Sequence, residues 1–351
     1  MNAGAATFPG VLGSASPGLW ALAWRQLCRD RVGLVSLAVV LLFLALMAAS
    51  GVGLIAADWS KEVGVSYAPP SFMGPDAADT SAASSPAPDA SPMSPIEETG
   101  IADPLAETLA EIRKELAGVS ASEARAATLA FGGDKWGRDV LKKAIKGTET
   151  SMLVGLVAAA LAVFLGTVFG AQAGYYGGRA DDFFNWLYSV FTSIPYLLLV
   201  LAIAAVLNQK GVLTVILILG LTGWTGTFRL VRAEYMRHKA REYVLAADAI
   251  GASHAQRIFV HIFPNVSHVV LVQLSLHVVL FIKSEVILSF LGFGVGVETV
   301  SWGSMLNESS SELLLGQWWQ LAAATVAMAV LVTAFSLFTD ALRDALDPRL
   351  K

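Results

Sequence analysis

EYVLAADAIGASHAQRIFVHIFPN, residues Glu242 to Asn265, is a polar, sharply punctuated helical stretch between two long apolar runs. Helix-forming residues continue to Ile250, Gly251 can act as a left-handed stop, and Ser253 with Gln256 three positions on has the reciprocal spacing of a capping box. One helix therefore ends and another begins within a few residues. The second carries Ile258, Phe259, Ile262 and Phe263 on one face and is expected to stop at Pro264, leaving a short amphipathic rod pinned between two membrane helices. Such a rod is suited to pushing on something outside the bilayer.

The flanking runs carry the membrane reading. Hydrophobic residues make up 55% of the 351 residues and charged ones only 15%, with a mean hydropathy of +0.60, where roughly a quarter of an ordinary soluble domain is charged. The excess lies in discrete runs long enough to cross hydrocarbon, which takes about 20 apolar residues at helical rise. We read six spans, at about 33–55, 152–176, 184–207, 211–231, 267–291 and 319–340. An even number puts both termini on one side. The net charge of -4 leaves no basic face to neutralise phosphates, so nucleic acid is not expected as a partner. Cys28 is the single cysteine and cannot form an internal disulfide. The N-terminus lacks the apolar core and cleavage site of a signal peptide, so the first run is expected to stay as an anchor.

Lysine and arginine set the orientation. Arg25, Arg29 and Arg31 precede the first span, Arg229, Arg232, Arg237, Lys239, Arg241 and Arg257 fall around the fourth-to-fifth connection, and Arg343, Arg349 and Lys351 end the chain. The positive-inside rule places all three groups, and with them the punctuated helix, in the cytoplasm. The 56–151 loop then faces outward. Within it, residues 69–95 are rich in Pro, Ser and Ala with few large apolar side chains, and read as a flexible insert. Beyond, Asp103 can cap and Pro104 can open a helix over 103–117, with Leu105, Leu109, Ile112 and Leu116 forming an apolar stripe that ends at Gly118. That stripe suits either packing on the protein's own outer face or docking of an extracytoplasmic partner.

Inside the membrane, Gly166, Gly170 and Gly174 repeat a small-xxx-small spacing that lets another helix approach closely, within the chain or between subunits. Pro195 should kink the third span. Lys283 and Glu285 lie in the fifth, two residues apart and so on different faces, with His277 a polar neighbour one to two turns before. A central charge costs on the order of 2.5 to 3.5 kcal/mol on insertion scales. These three residues are the candidates for lining a translocation path; alternatively Lys283 and Glu285 lie near the outer interface, snorkelling or pairing with another subunit.

Catalytic constellations are missing. The chain has no G-x-x-x-x-G-K-[ST] phosphate loop, no H-E-x-x-H, no paired cysteines at metal spacing and no G-x-S-x-G turn, so we expect a non-catalytic chain that binds neither cofactor nor metal. ATP-powered transport would need another chain to hydrolyse the nucleotide. The glycines of GYYGGRADD, 174–182, read as a turn leaving the second span, with Asp181 and Asp182 at a helix start.

The segment AADAIGASHAQRIFVHIFPN resembles the cytoplasmic motif of ABC-importer permeases, Glu-Ala-Ala, three residues, Gly, nine residues, then Ile-x-Leu-Pro, with Ala246, Ala247, Gly251 and Pro264 at matching positions. FGGDKWGRDVLKKAIKGTETSMLVG, GYYGGRADD, SIPYLLL, LSFLGFGV, SWGSML and LRDALDPRL are similar to the signature run of dipeptide, oligopeptide and nickel importer permeases, in particular the second, C-type permease. The likeness covers 131–351 nearly continuously, with a weaker match at the first span. It implies an all-α integral membrane protein of the type I ABC importer (MetI-like) fold: a cytoplasmic segment 1–32, a first transmembrane helix 33–55, an extracytoplasmic loop 56–151, a permease core 152–340 containing a coupling region 232–265, and a cytoplasmic tail 341–351. It implies a multi-pass protein of the bacterial inner membrane working with a homologous second permease, two ATP-binding subunits that carry ATP and Mg, and an extracytoplasmic solute-binding protein. The coupling helix would seat in the ATPase through Ala246, Ala247, Asp248, Gly251, Ala252, Ser253, His261 and Pro264. The sequence departs from the motif at three places: Leu245 stands where the motif has Glu, Phe263 replaces Leu, and His261 takes the Ile position. Glu242, one turn earlier, is a candidate to replace the missing acid. The cargo implied is a di- or oligopeptide, with a nickel chelate or another small solute as the alternative. An ion-coupled secondary transporter is the competing class, and would require intramembrane acidic relays or inverted repeats.

Overall fold

The computed structural model describes residues 24–74, 125–296 and 298–346. The helix expected at 103–117 and most of the insert at 69–95 lie outside the described residues. Among the described residues the regular elements are helices, joined by turns and loops that include four isolated bridges at one end.

The first helix, α1, spans Arg31–Gly51 and starts where the Asp30 side chain accepts the Val32 N–H at 3.0 Å. It closes before residue 55, because the Val52 N–H already turns back to Ala48 and Ser50. The second, α2, runs over Val140–Tyr176, capped by Asp139. Its start lies well inside the stretch expected to form the extracytoplasmic loop. At 1.5 Å per residue it is about 55 Å long, more than the roughly 30 Å of hydrocarbon, so one end stands clear of the membrane core.

The third run shows the largest departure. Instead of one kinked helix, α3 (Gly178–Thr192) and α4 (Tyr196–Leu207) meet at 82°. Pro195 is the N-cap of α4 with extended backbone, and proline also disfavours helical geometry at the residue before it, so Ile194 leaves the helix and the chain starts anew. Next come α5 (Val212–Thr222) and α6 (Thr225–Lys239), which together form one membrane-length rod through Gly223. The remaining helices are α7 (Glu242–Ala249), a short α8 (His254–Gln256), α9 (Phe263–Phe290), α10 (Trp302–Leu314) and α11 (Trp319–Leu346). Five rods are long and apolar enough to cross a membrane, and six if the bent α3–α4 pair is one span.

Helix α2 is the mast against which α1, α5, α6 and α9 pack. The Gly166, Gly170 and Gly174 seam faces α6 within the same chain. A Cβ at Gly174 would lie 2.5 Å from the Arg232 carbonyl oxygen, and one at Gly166 would lie 2.6 Å from that of Trp224. Only hydrogen at these positions lets the two backbones touch. Trp302 opens α10 fully buried, its indole Nε1 donating to the Ala144 carbonyl at 3.1 Å and its ring set edge-on to Phe43. At the opposite end of the bundle from Trp302 the described termini meet, with Leu27, Ala345 and Leu346 sharing a small core.

Candidate functional site

At the end of the bundle where the termini meet, the segment from α7 to the start of α9 packs across α2 and α6. Helix α7 ends in a full Schellman arrangement: Gly251, at φ +84°, donates its N–H to Asp248 at 2.9 Å, and Ala252 donates to Ala247 at 2.9 Å. Two residues on, the Ser253 Oγ accepts the Gln256 N–H at 3.3 Å while the Gln256 side chain accepts the Ser253 N–H at 2.8 Å. The stop and the cap use bonds spanning no more than six residues. Their angle is therefore set locally.

Pro264 does not stop the second helix. Residues Arg257–Ile262 widen into a π turn, Phe263 donates its N–H to Ile258 five residues back, and α9 continues unbroken to Phe290. Proline clashes with the carbonyl four residues before it and offers no N–H, and an extra residue in the turn relieves both defects. The expected free rod is thus the first turns of a single membrane helix from Gln256 to Phe290. The helix runs through the proline without a break.

The apolar face also divides. Ile258 and Ile262 are buried with Tyr235, Val244 and Val266, whereas Phe259 is 67% exposed. Phe259 and Phe263 line an open cavity of about 720 Å³, which Phe164, Tyr176 and the edges of Tyr235 and Ile258 also line. Among the other motif positions Ala247 is buried, while Ala246, Gly251, Ser253 and Pro264 are exposed, and Ala252 and His261 are half-buried. Asp248 is engaged, its carboxylate 2.5 Å from Arg257 across the turn. Leu245 and Ile250 are 56% and 85% exposed, so the outward surface is apolar where the motif carries an acid. Glu242 is exposed in the first turn of α7.

Side chains that the sequence reading did not single out hold this element down. The Tyr175 hydroxyl lies 2.9 Å from His254 Nδ1, the Tyr243 hydroxyl 2.9 Å from His238 Nδ1, and Tyr235 donates to the Ile258 carbonyl at 3.4 Å. Burial pushes the Tyr243 phenol up. Arg232 grips both oxygens of Asp181 at 2.5 and 2.7 Å, fastening α3 to α6. The signal available was a cluster of tyrosines at helix ends, where an amphipathic ring can span apolar packing and a polar tether.

The three intramembrane candidates separate. Glu285 is fully buried, accepting from Ser151 and Ser289 at 2.7 Å each, and Ser151 in turn accepts the Trp302 N–H at 3.3 Å. It locks α2, α9 and α10 together inside the subunit. His277 is buried with its ring nitrogens facing the carbonyls of Gln273 at 2.8 Å and Gly223 at 3.1 Å. Lys283 faces outward.

The opposite end carries a buried charge cluster. Lys143 is 1% exposed and reaches Asp134 at 2.8 Å, Glu308 at 2.5 Å and Gln320 at 3.2 Å. Its neighbour Glu312 is equally buried, with neither carboxyl oxygen hydrogen-bonded. Burial pushes that carboxyl up to about 7, against the opposing pull of Lys143. The cluster joins residues up to 177 positions apart, so no local pattern announced it.

Residues 162–351 match the family described as binding-protein-dependent transport system inner membrane component, and residues 18–70 match the N-terminal TM domain of oligopeptide transport permease C. Over 221 residues the chain is 38% identical to the dipeptide transport system permease protein DppC of Bacillus subtilis, covering 63% of this chain and 69% of that one. It is 35% identical over 221 residues to the oligopeptide transport system permease protein OppC of the same organism, 63% and 72% of the two chains. It is 34% identical over 219 residues to the OppC protein of Haemophilus influenzae, 62% and 70%.

Proposed function

The chain belongs to the family of binding-protein-dependent transport system inner membrane components, and from that premise we propose that it is one permease subunit of an ATP-driven importer of di- or oligopeptides. It spans the inner membrane six times, the α3–α4 pair counted as one span, with both termini in the cytoplasm. A homologous second permease completes the pathway, two ATPase subunits hydrolyse ATP, and an extracytoplasmic binding protein delivers cargo. This chain does no chemistry. Its part is to convert ATPase closure into helix movement.

The observation that carries this reading is the element from Glu242 to Ile262: stopped and capped by its own backbone, exposed at Leu245 and Ile250, and continuous with a membrane helix. A force at that tip tilts α9, and α9 is locked to α2 and α10 through Glu285. Apolar contact at Leu245 takes the place of the acidic contact usual in the motif. Glu242, exposed in the first turn of α7, is the candidate carboxylate to replace it, and Glu242→Ala should then lower stimulated ATPase activity. Lys283 is the intramembrane candidate left facing outward, towards the pathway or the second permease. Reconstitution with the partner subunits tests the reading. Uptake of peptide should require ATP and persist without an ion gradient, and uptake by this chain driven by a gradient without ATPases would overturn it.

A further inference from the structure

The ammonium of Lys143 has three protons, and three acceptors take them: Asp134 at 2.8 Å, Glu308 at 2.5 Å and Gln320 at 3.2 Å. No donor is left for Glu312, which stands one turn beyond Glu308 on α10, buried with both carboxyl oxygens unbonded. Neighbouring cations are committed elsewhere. Lys135, whose backbone faces Glu312, holds its ammonium over the Trp136 ring at 3.9 Å, and the Arg138 guanidinium lies over the same ring at 4.5 Å. On α2, Lys142 and Lys146 pair with Asp58 and Glu149 at 2.7 Å each. Gln320, which α11 sends into the cluster, is neutral, and Glu285 of α9 is bound beside Trp302 at the start of α10. An ionised Glu312 would therefore be a third carboxylate around one cation, in a place closed to water. Burying a charge on such terms costs far more than burying the neutral acid.

Helix α10 is anchored at its start and uncovered at its finish. Trp302 is fully buried, donating from its backbone to Ser151 at 3.3 Å and from its ring to Ala144 at 3.1 Å. At the other end Leu314 and Leu315 are 88% and 62% exposed, and Gly316 turns the chain at φ +84°. Glu312 lies two residues before the end of the helix, so water reaches its carboxyl once the last turn lifts, with the start still in place.

We infer that Glu312 is a proton-operated switch: protonated, it lets the last turn of α10 lie against α2 and α11, and ionised, it draws that turn out into water. What the movement does rests on the permease reading, in which this end faces the binding protein and the outer mouth of the pathway responds to the pH on that side. The buried carboxyl stands at about 7, against 4.5 for a free one. The seated form is thus favoured most at low pH, and the advantage is lost as the pH rises through 7. Its ratio to the lifted form should fall about tenfold between pH 6 and pH 8, and level off above.

The test uses the full-length chain in lipid discs, with Cys28→Ser and spin labels on cysteines replacing Leu314, in the last turn of α10, and Leu141, exposed in the first turn of α2. Pulsed electron spin resonance reads the distance between them. The populations of two distances should exchange as the pH rises, their ratio changing about tenfold between pH 6 and pH 8. Glu312→Gln should hold the seated distance throughout, and Glu312→Leu, which also cannot ionise, serves if the amide disturbs folding. A second pair, Leu141 with Leu291 just past the end of α9, should not move. A distribution constant from pH 5 to 8 in the wild type would overturn the inference. So would a shift that survives in Glu312→Gln or Glu312→Leu, or movement of both label pairs together, which is loosening of the whole bundle. In vesicles holding the assembled transporter, ATP-dependent uptake by the wild type should vary with the pH on the binding-protein side, and uptake by Glu312→Gln should not. The distances need neither cargo nor ATP. Failure of the permease reading therefore shows in the uptake assay, and failure of the switch shows in the labels.

Discussion

Replacing Gly251 separates backbone geometry from contact at the tip of the coupling element. The residue sits at φ +84°, and a Cβ built there meets nothing within 4 Å. The cost of Gly251→Ala is therefore conformational alone, about 1–2 kcal/mol for an L-residue in the left-handed region. That corresponds to a roughly 5- to 30-fold fall in the ratio of the conformation in which the Schellman bonds from Gly251 and Ala252 hold α7 and α8 at their observed angle to its alternatives. Asn visits this region more readily than Ala and should lose less, while the β-branched Gly251→Val should lose more. None of these changes touches the packed bundle, so membrane abundance should stay at the wild-type level. The assay is binding-protein-stimulated ATP hydrolysis by the reconstituted complex, normalised to inserted subunit. The expected order is Gly, Asn, Ala, Val, with Ala reduced by at most about 30-fold if the angle limits coupling. Full activity in Gly251→Ala, or an Asn variant as impaired as Val, would refute the argument. A loss that merely tracked lower abundance would do so too.

Gly174→Ala should fail by packing instead, because its Cβ would press to 2.5 Å on the Arg232 carbonyl. We expect about 1–3 kcal/mol of destabilisation in a thermal melt in lipid discs, whereas Gly226→Ala, whose Cβ approaches nothing closer than 3.9 Å, should be neutral or slightly stabilising. Glu312 gives a pH dependence. Its carboxyl rises from 4.5 to about 7 on folding, so stability fully present below about 4.5 drains away as the pH climbs through 7, by on the order of 3 kcal/mol. Melts of wild type between pH 5 and 8 should show the decline, and Glu312→Gln should flatten it. Lys143→Met leaves the buried Asp134 and the half-buried Glu308 without their cation and should cost about 3–5 kcal/mol, seen as reduced membrane abundance and greater protease sensitivity. Abundance at the wild-type level would show that the cluster contributes little.

Much of the coupling element was legible because its determinants are short-range. A glycine that reverses the backbone and a Ser–Gln pair that caps the next helix act over a few residues, and both form in the fold. The membrane character was equally legible, since apolar runs of sufficient length have few other uses. Pro264 reads locally as a stop, yet its effect depends on the helix it precedes. That helix buries a long apolar face, and the packing outweighs the local defect, which a single widened turn absorbs. At Pro195 no such gain is available, as α3 buries none of its residues and α4 only Val200 and Ala204, and the chain breaks.

Sequence by itself determined that this is a helical membrane protein with a stopped and capped element between two spans, because propensity, capping and hydropathy are properties of neighbouring residues. Only the tertiary structure decided that the glycine seam closes on α6 of the same chain, that Glu285 turns inward and Lys283 outward, and that Lys143 gathers Asp134, Glu308 and Gln320 from three separate segments. Those outcomes depend on how the helices rotate about their axes and which ends meet. Contacts between residues far apart in the chain set that rotation, and a local pattern carries no record of them.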